Sequence, residues 1–244
     1  MLEGATFTRE DPQYREWATD RKGVYASNGA ILSVVARSHP GAPAPDLFLY
    51  ALLGRFEGYF PGYSALLAKN PNCLTWVVLK AHTNNTAGEV TLRSSDPLAR
   101  PLVNFRYFTE GNDPGAQDLK GVVAGVRLAR KLADPLIAEG MIKNEELPGR
   151  EVGDDRLEEF VRDRAWGHHA SCTCPIGDRR AGGVLSSDFK VHGVAGLRVV
   201  DASVFPRIPG FFIVSAVYMI GEKAADVIAA EARTAAPLGP LKPF

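Results

Sequence analysis

The chain has 244 residues, enough for one large domain or two modest ones, and its 45% apolar content suits a folded core. Its 28 basic and 28 acidic residues cancel, so no global field draws nucleic acid or an anionic membrane towards it. Small-molecule chemistry or a protein partner is the business that remains.

No stretch reaches the roughly 18 to 20 uninterrupted apolar residues of a membrane span. The N-terminus, MLEGATFTREDPQYREW, is charged from its third residue and lacks an apolar run of signal-peptide length. Three cysteines, Cys73, Cys172 and Cys174, are too few and too unevenly placed for a disulfide framework. A cytoplasmic location is expected, any address signal upstream of Met1 aside.

In chain order, residues up to 28 are polar and turn-rich, and GAILSVVARS has the β-branched character of a buried strand. LFLYALLG is apolar nearly throughout. FEGYFPGYSALLAKNPN is aromatic and punctuated by Gly and Pro, which suits an irregular segment packed over a core or around a cavity. CLTWVVLKAHT reads as a second strand, GEVTLRS as a third with Val90 and Leu92 alternating against polar neighbours, and PLVNFRYF follows an SSDP turn. Strand, turn and strand at short spacing favour an antiparallel sheet over βαβ units.

From 113 to 134, Leu119, Val122, Val123, Val126, Leu128 and Leu132 recur at helical spacing, with Asp113-Pro114 as the start. DDRLEEFVRDRA predicts a shorter helix capped by Asp154 or Asp155. LRVVDAS reads as an apolar strand, SAVYMIGEKAADVIAAEA as a helix with an apolar stripe, and TAAPLGPLKPF as a Pro-rich tail. The expected class is therefore α+β: an antiparallel sheet flanked by helices over residues 1–165, a loop, strand and helix that would sit in a different sheet over 166–232, and a tail over 233–244.

The densest polar chemistry is WGHHASCTCPIGD. His168, His169, Cys172 and Cys174 offer four metal-ligand types within seven residues, but structural zinc sites pair cysteines two to four residues apart and take a second pair from a distant segment. No metal is expected. A disulfide between Cys172 and Cys174 would close a strained ring.

Four segments in fixed order, GEVTLRSSDPLARPLVNFRYF, WGHHASCTCPIGD, VHGVAGLRVVDASVFPRIPG and SAVYMIGEKAADVI, resemble the C-terminal half of the glucose-methanol-choline (GMC) family of flavin-dependent oxidoreductases. The resemblance runs from about Gly23 to Ala230. The family's GxGxxG strand-turn-helix, which cradles the pyrophosphate of FAD, has no match, since GRFEG and GVVAG lack both the spacing and the preceding strand.

The resemblance implies oxidation of CH–OH groups with FAD as cofactor, its site incomplete in this chain, and a substrate domain followed by the return of the chain to a flavin domain. It puts Asp201 and Ala202 near the ribityl and phosphate part of the flavin; an ordinary capping aspartate is the plain alternative for Asp201. Alcohol oxidation needs a base with a pKa near neutrality. The family's histidine, four residues before Thr-Cys, falls on His169, with His168 beside it; structural hydrogen bonding is the alternative for both. The family's second polar residue, His or Asn, falls on Phe212, which cannot bind an alkoxide. Either His169 works alone, Ser215 or His168 substitutes, or the substrate is not a simple alcohol. Phe211, Phe212 and Ile213 would form an apolar wall towards the flavin, unless Phe212 is core packing.

Two functional readings follow: the base-carrying portion of a flavin-dependent alcohol dehydrogenase or oxidase, or a non-catalytic fragment used for binding or assembly. On the first, the expected partners are an alcohol-type small molecule and the missing flavin-binding half, in cis or in trans. The isolated chain is expected to be inactive, because the pyrophosphate site and most of the adenosine pocket are missing, and poorly soluble, because apolar faces would be left uncovered.

Overall fold

The computed structural model describes Leu2 and residues 4–234. Residues 235–244 of the predicted tail lie outside the described residues, whereas Arg233 and Thr234 belong to the last helix. The chain divides into two compact units. One is built from residues up to Ala87 together with Arg106–Trp166, the other from Gly88–Phe105 together with Gly167 onward.

The first unit opens with helix α1 (Pro12–Asp20) and carries a three-stranded antiparallel sheet, β1 (Ala30–Ala36), β2 (Leu47–Leu53) and β3 (Leu74–Lys80), in spatial order β1-β2-β3. The apolar LFLYALLG run is thus the central strand. Leu47, Leu49 and Ala51 are fully buried, while Phe48, Tyr50 and Leu52 on the opposite face are half-buried. A strand partly covered on both faces shows no polar alternation. Helix α2 (Tyr63–Lys69) lies inside the stretch expected to be irregular.

Helix α3 (Gln117–Ala138) packs on β3, and the fit depends on two glycines one turn apart. A Cβ at Gly121 would meet Lys80 Cε at 2.7 Å, and one at Gly125 would meet Val78 Cγ1 at 2.3 Å. The helix starts four residues later than predicted because Ala116 is left-handed, with φ 50°. Asp113 still serves the helix start, its carboxylate accepting the Asp118 amide at 2.8 Å. Helix α4 (Leu157–Arg164) closes the core, where Leu119 and Val123 meet Leu157 and Val161. Neither Asp154 nor Asp155 caps it with a side-chain hydrogen bond. Asp154 pairs instead with Arg127 Nε at 2.9 Å, a charged acceptor site that competes with capping.

Two buried polar clusters lock this unit. Lys80 Nζ lies 3.2 Å from Asp46 and 3.8 Å from Asp118, and Asp118 also accepts the amides of Asn84 and Asn85. Burying these charges is tolerable only because each is paired and hydrogen-bonded. Asp11 accepts from the Thr6 hydroxyl at 2.6 Å, the Tyr25 hydroxyl at 2.6 Å and the Thr6 and Phe7 amides. The Thr6 and Tyr25 hydroxyls hold its carboxyl at about 2; burial and Asp11 push Tyr25 up to about 12.

The second unit holds a short hairpin, β4 (Glu89–Thr91) with β5 (Leu102–Asn104), and helix α5 (Val214–Thr234). Leu185, Phe189, Val204 and Ala224 are its buried core, with Ile176, Val199 and Ile220 packed around them. The expected strand over LRVVDAS forms no regular ladder: Arg198 makes a single bridge to Lys190, and Ala202–Val204 is a 3-10 turn. The carbonyls of that turn are taken by another segment. No helix among the described residues is long and apolar enough to cross a membrane.

Candidate functional site

Three backbone hydrogen bonds tie the histidine segment to the Asp201 turn. The amides of Cys172, Cys174 and Ile176 donate to the carbonyls of Ala202, Ser203 and Val204 at 3.2, 2.9 and 2.9 Å. Cys172 is itself left-handed, with φ 69°, a conformation that costs most non-glycine residues on the order of 1 kcal/mol. Its thiol lies 3.3 Å from the Ser171 hydroxyl. Among the described residues, no group of three or more His, Cys, Asp or Glu side chains is arranged to hold a metal, and all three cysteines are free thiols.

The segment sets His169 half-buried among aromatic neighbours. Its ring centroid is 4.4 Å from that of His168, with the planes at 71°, and 6.4 Å from that of Phe212, with the planes at 72°. The Phe211 backbone acts on the ring from the loop before α5. A neutral imidazole carries a lone pair on one of its two nitrogens. Burial pushes the His169 pKa below its ordinary value, positive charge on His168 pushes it the same way, and the Phe211 backbone opposes both.

The remaining predicted residues sort by what they touch. Asp201 caps its own turn, one carboxylate oxygen accepting the Ser203 amide at 2.8 Å and the Ser203 hydroxyl. The Ala202 carbonyl is occupied by Cys172. Phe212 is 50% exposed and its ring lies beside the imidazole. Ile213 is buried at 9% exposure and its carbonyl accepts the Val217 amide in the first turn of α5. Ser215 is exposed on the first turn of α5, and His168 is exposed beside His169. Sequence reasoning missed the Phe211 backbone, because a main-chain group leaves no side-chain signature. The one available signal was Pro209-Gly210, with Gly210 at φ 150°, which marks a turn that redirects the main chain.

Residues 84–221 match the family described as GMC oxidoreductase, in its C-terminal part. The chain is 32% identical over 223 residues to the oxygen-dependent choline dehydrogenase of Vibrio vulnificus (strain YJ016), covering 87% of this chain and 37% of that protein. It is 39% identical over 152 residues to the chloroplastic fatty acid photodecarboxylase of Chlamydomonas reinhardtii, covering 61% of this chain and 24% of that protein. Among solved structures, formate oxidase of Aspergillus oryzae RIB40 superposes with a TM-score of 0.72 at 27% identity, covering 93% of this chain and 42% of that one. The chain belongs to the GMC oxidoreductase family. It spans between 24% and 42% of the length of these relatives.

Proposed function

We propose that this chain is the base-carrying portion of an FAD-dependent oxidoreductase that acts on CH–OH groups. The observation that carries the reading is the His169 imidazole, half-buried with the rings of His168 and Phe212 against it.

The residues present fit one side of a flavin. A half-buried imidazole stands beside the partly exposed ring of Phe212, and hydrogen bonds couple the His169 segment to the Asp201–Ala202 turn. His169 would face the ring system and Asp201 and Ala202 would lie at the ribityl and phosphate part. FAD, when bound, supplies the acceptor for the hydride that leaves the carbinol carbon. In that step His169 would take the hydroxyl proton, and the Phe211 backbone, which raises the pKa of the ring, would stabilise the imidazolium that results. Phe212 keeps water from one side of the imidazole and favours an apolar substituent on the substrate. The rest of the FAD site, including the pyrophosphate cradle, belongs to a flavin-binding half in cis or in trans, and the assembled enzyme is placed in the cytoplasm on this reading.

A second reading, a non-catalytic binding or assembly module, is favoured by one observation. Phe212 stands at the position where the family resemblance calls for His or Asn. The two readings separate on purification. Joined to a flavin-binding half, the protein carries the visible flavin absorbance and is bleached anaerobically by an apolar primary alcohol; the 244-residue chain alone does neither. An assembled protein that binds flavin but is bleached by no alcohol would leave the second reading standing.

A further inference from the structure

The hairpin of the second unit turns an apolar face to water. Val90 and Val103 stand opposite each other across β4 and β5. The two-residue period of a strand carries Leu92 and Phe105 to the same side, while Glu89, Thr91, Leu102 and Asn104 fall on the other. Such alternation makes a face for burial, yet Val90 is 49% exposed, Leu92 86%, Val103 54% and Phe105 38%. An isolated two-stranded hairpin is marginal in water, and large apolar side chains gathered on one exposed face mark a surface that another polypeptide covers.

We propose that this face docks the flavin-binding half of the enzyme. The proposal rests on the reading given above, that such a half is supplied in cis or in trans. Three observations favour that occupant. The hairpin lies in the same compact unit as the His169 segment and the Asp201 turn, the parts of this chain assigned to the flavin. None of the four side chains is charged, which suits a permanent contact rather than a transient one. The chain spans 42% of the solved relative that it matches over 93% of its own length, so more than half of such a polypeptide remains to cover what is exposed here. A second copy of this chain could cover the face, but it would leave the FAD site incomplete.

Leu92→Glu and Val103→Glu each place a carboxylate on the face, and Thr91→Glu places one on the opposite side as a control. In protein joined to its flavin-binding half, the first two should lower the urea midpoint and release flavin about tenfold faster on dilution, with Thr91→Glu close to wild type. In the 244-residue chain alone, the same two substitutions should leave the midpoint unchanged and raise solubility. Loss of stability in the chain alone would mean that the face packs within this chain. Wild-type behaviour of both variants in the joined protein would mean that the flavin-binding half docks elsewhere. Either result overturns the proposal, as does a chain that dimerises by light scattering and becomes monomeric in Leu92→Glu while the joined variant keeps its flavin, since the occupant is then a second copy. Stability and flavin retention do not depend on turnover, so a rate of flavin reduction indifferent to His169→Gln would remove the base and leave the docking face standing.

Discussion

Replacing Gly125 with alanine measures how closely α3 lies on the sheet. In an exposed helix this change stabilises by about 1 kcal/mol, because alanine loses less backbone entropy and favours the helix. Here the new methyl would sit 2.3 Å from Val78 Cγ1, well inside the ordinary carbon contact of about 3.5–4.0 Å. Val78 is β-branched and sits in a central stretch of β3, so its side chain cannot swing aside cheaply. Overpacking of this kind costs about 1–3 kcal/mol. The net expectation is a loss on the order of 1 kcal/mol. All three tryptophans, Trp17, Trp76 and Trp166, belong to the first unit, so tryptophan fluorescence during urea unfolding reports on it directly. In a Val78→Ala background the clash is gone, and Gly125→Ala should become neutral or stabilising; this non-additivity is the signature of contact. The reasoning is refuted if Gly125→Ala stabilises the otherwise unaltered protein, or if its effect is the same in both backgrounds.

Lys80→Met leaves Asp46 and Asp118 buried without their cation and should cost about 3–5 kcal/mol in the same assay; a loss below about 1 kcal/mol would mean that the carboxylates do not need it. Burial tends to raise the Asp46 carboxyl, but hydrogen bonds from Ser38 and the nearby Lys80 hold it below its ordinary value, and Asp11 is held at about 2. Both depressed groups contribute stability that is complete above the unfolded carboxyl pKa of about 3.9 and is lost as pH falls towards the folded values. Asp11→Asn should therefore flatten the fall in stability below about pH 4, measured as urea midpoint against pH; an unchanged slope would contradict the hydrogen-bond assignment. Phe212→Asn, in protein joined to its flavin-binding half, gives the alkoxide a second hydrogen-bonding partner. It should raise the rate of flavin reduction by a small polar alcohol by up to about a hundredfold, and no gain would mean that the register at 212 is unimportant.

What the sequence reveals and conceals follows from which signals each element carries. Helix α3 is legible because its apolar positions recur on one face, although a left-handed Ala116 delays its start. The central strand β2 hides its period because both faces are partly covered. Helix α1 buries no residue and so offers no apolar stripe to find. LRVVDAS has the composition of a strand, yet a strand exists only with a partner, and the described residues give it a single bridge. At the site, His169 and the Asp201 turn are readable from motifs. Their registration through the Cys172, Cys174 and Ile176 amides, and the action of the Phe211 backbone on the ring, are not, because they depend on where the main chain runs.

The central claim is that the His169 imidazole removes the proton when an alcohol is oxidised. Its most direct test is the anaerobic rate of flavin bleaching by an apolar primary alcohol, in protein joined to its flavin-binding half, for wild type and His169→Gln, with flavin content matched. Loss of a positioned base predicts a rate lower by about 10²- to 10⁴-fold, with flavin still bound. Bleaching at the wild-type rate in the glutamine variant would contradict the account.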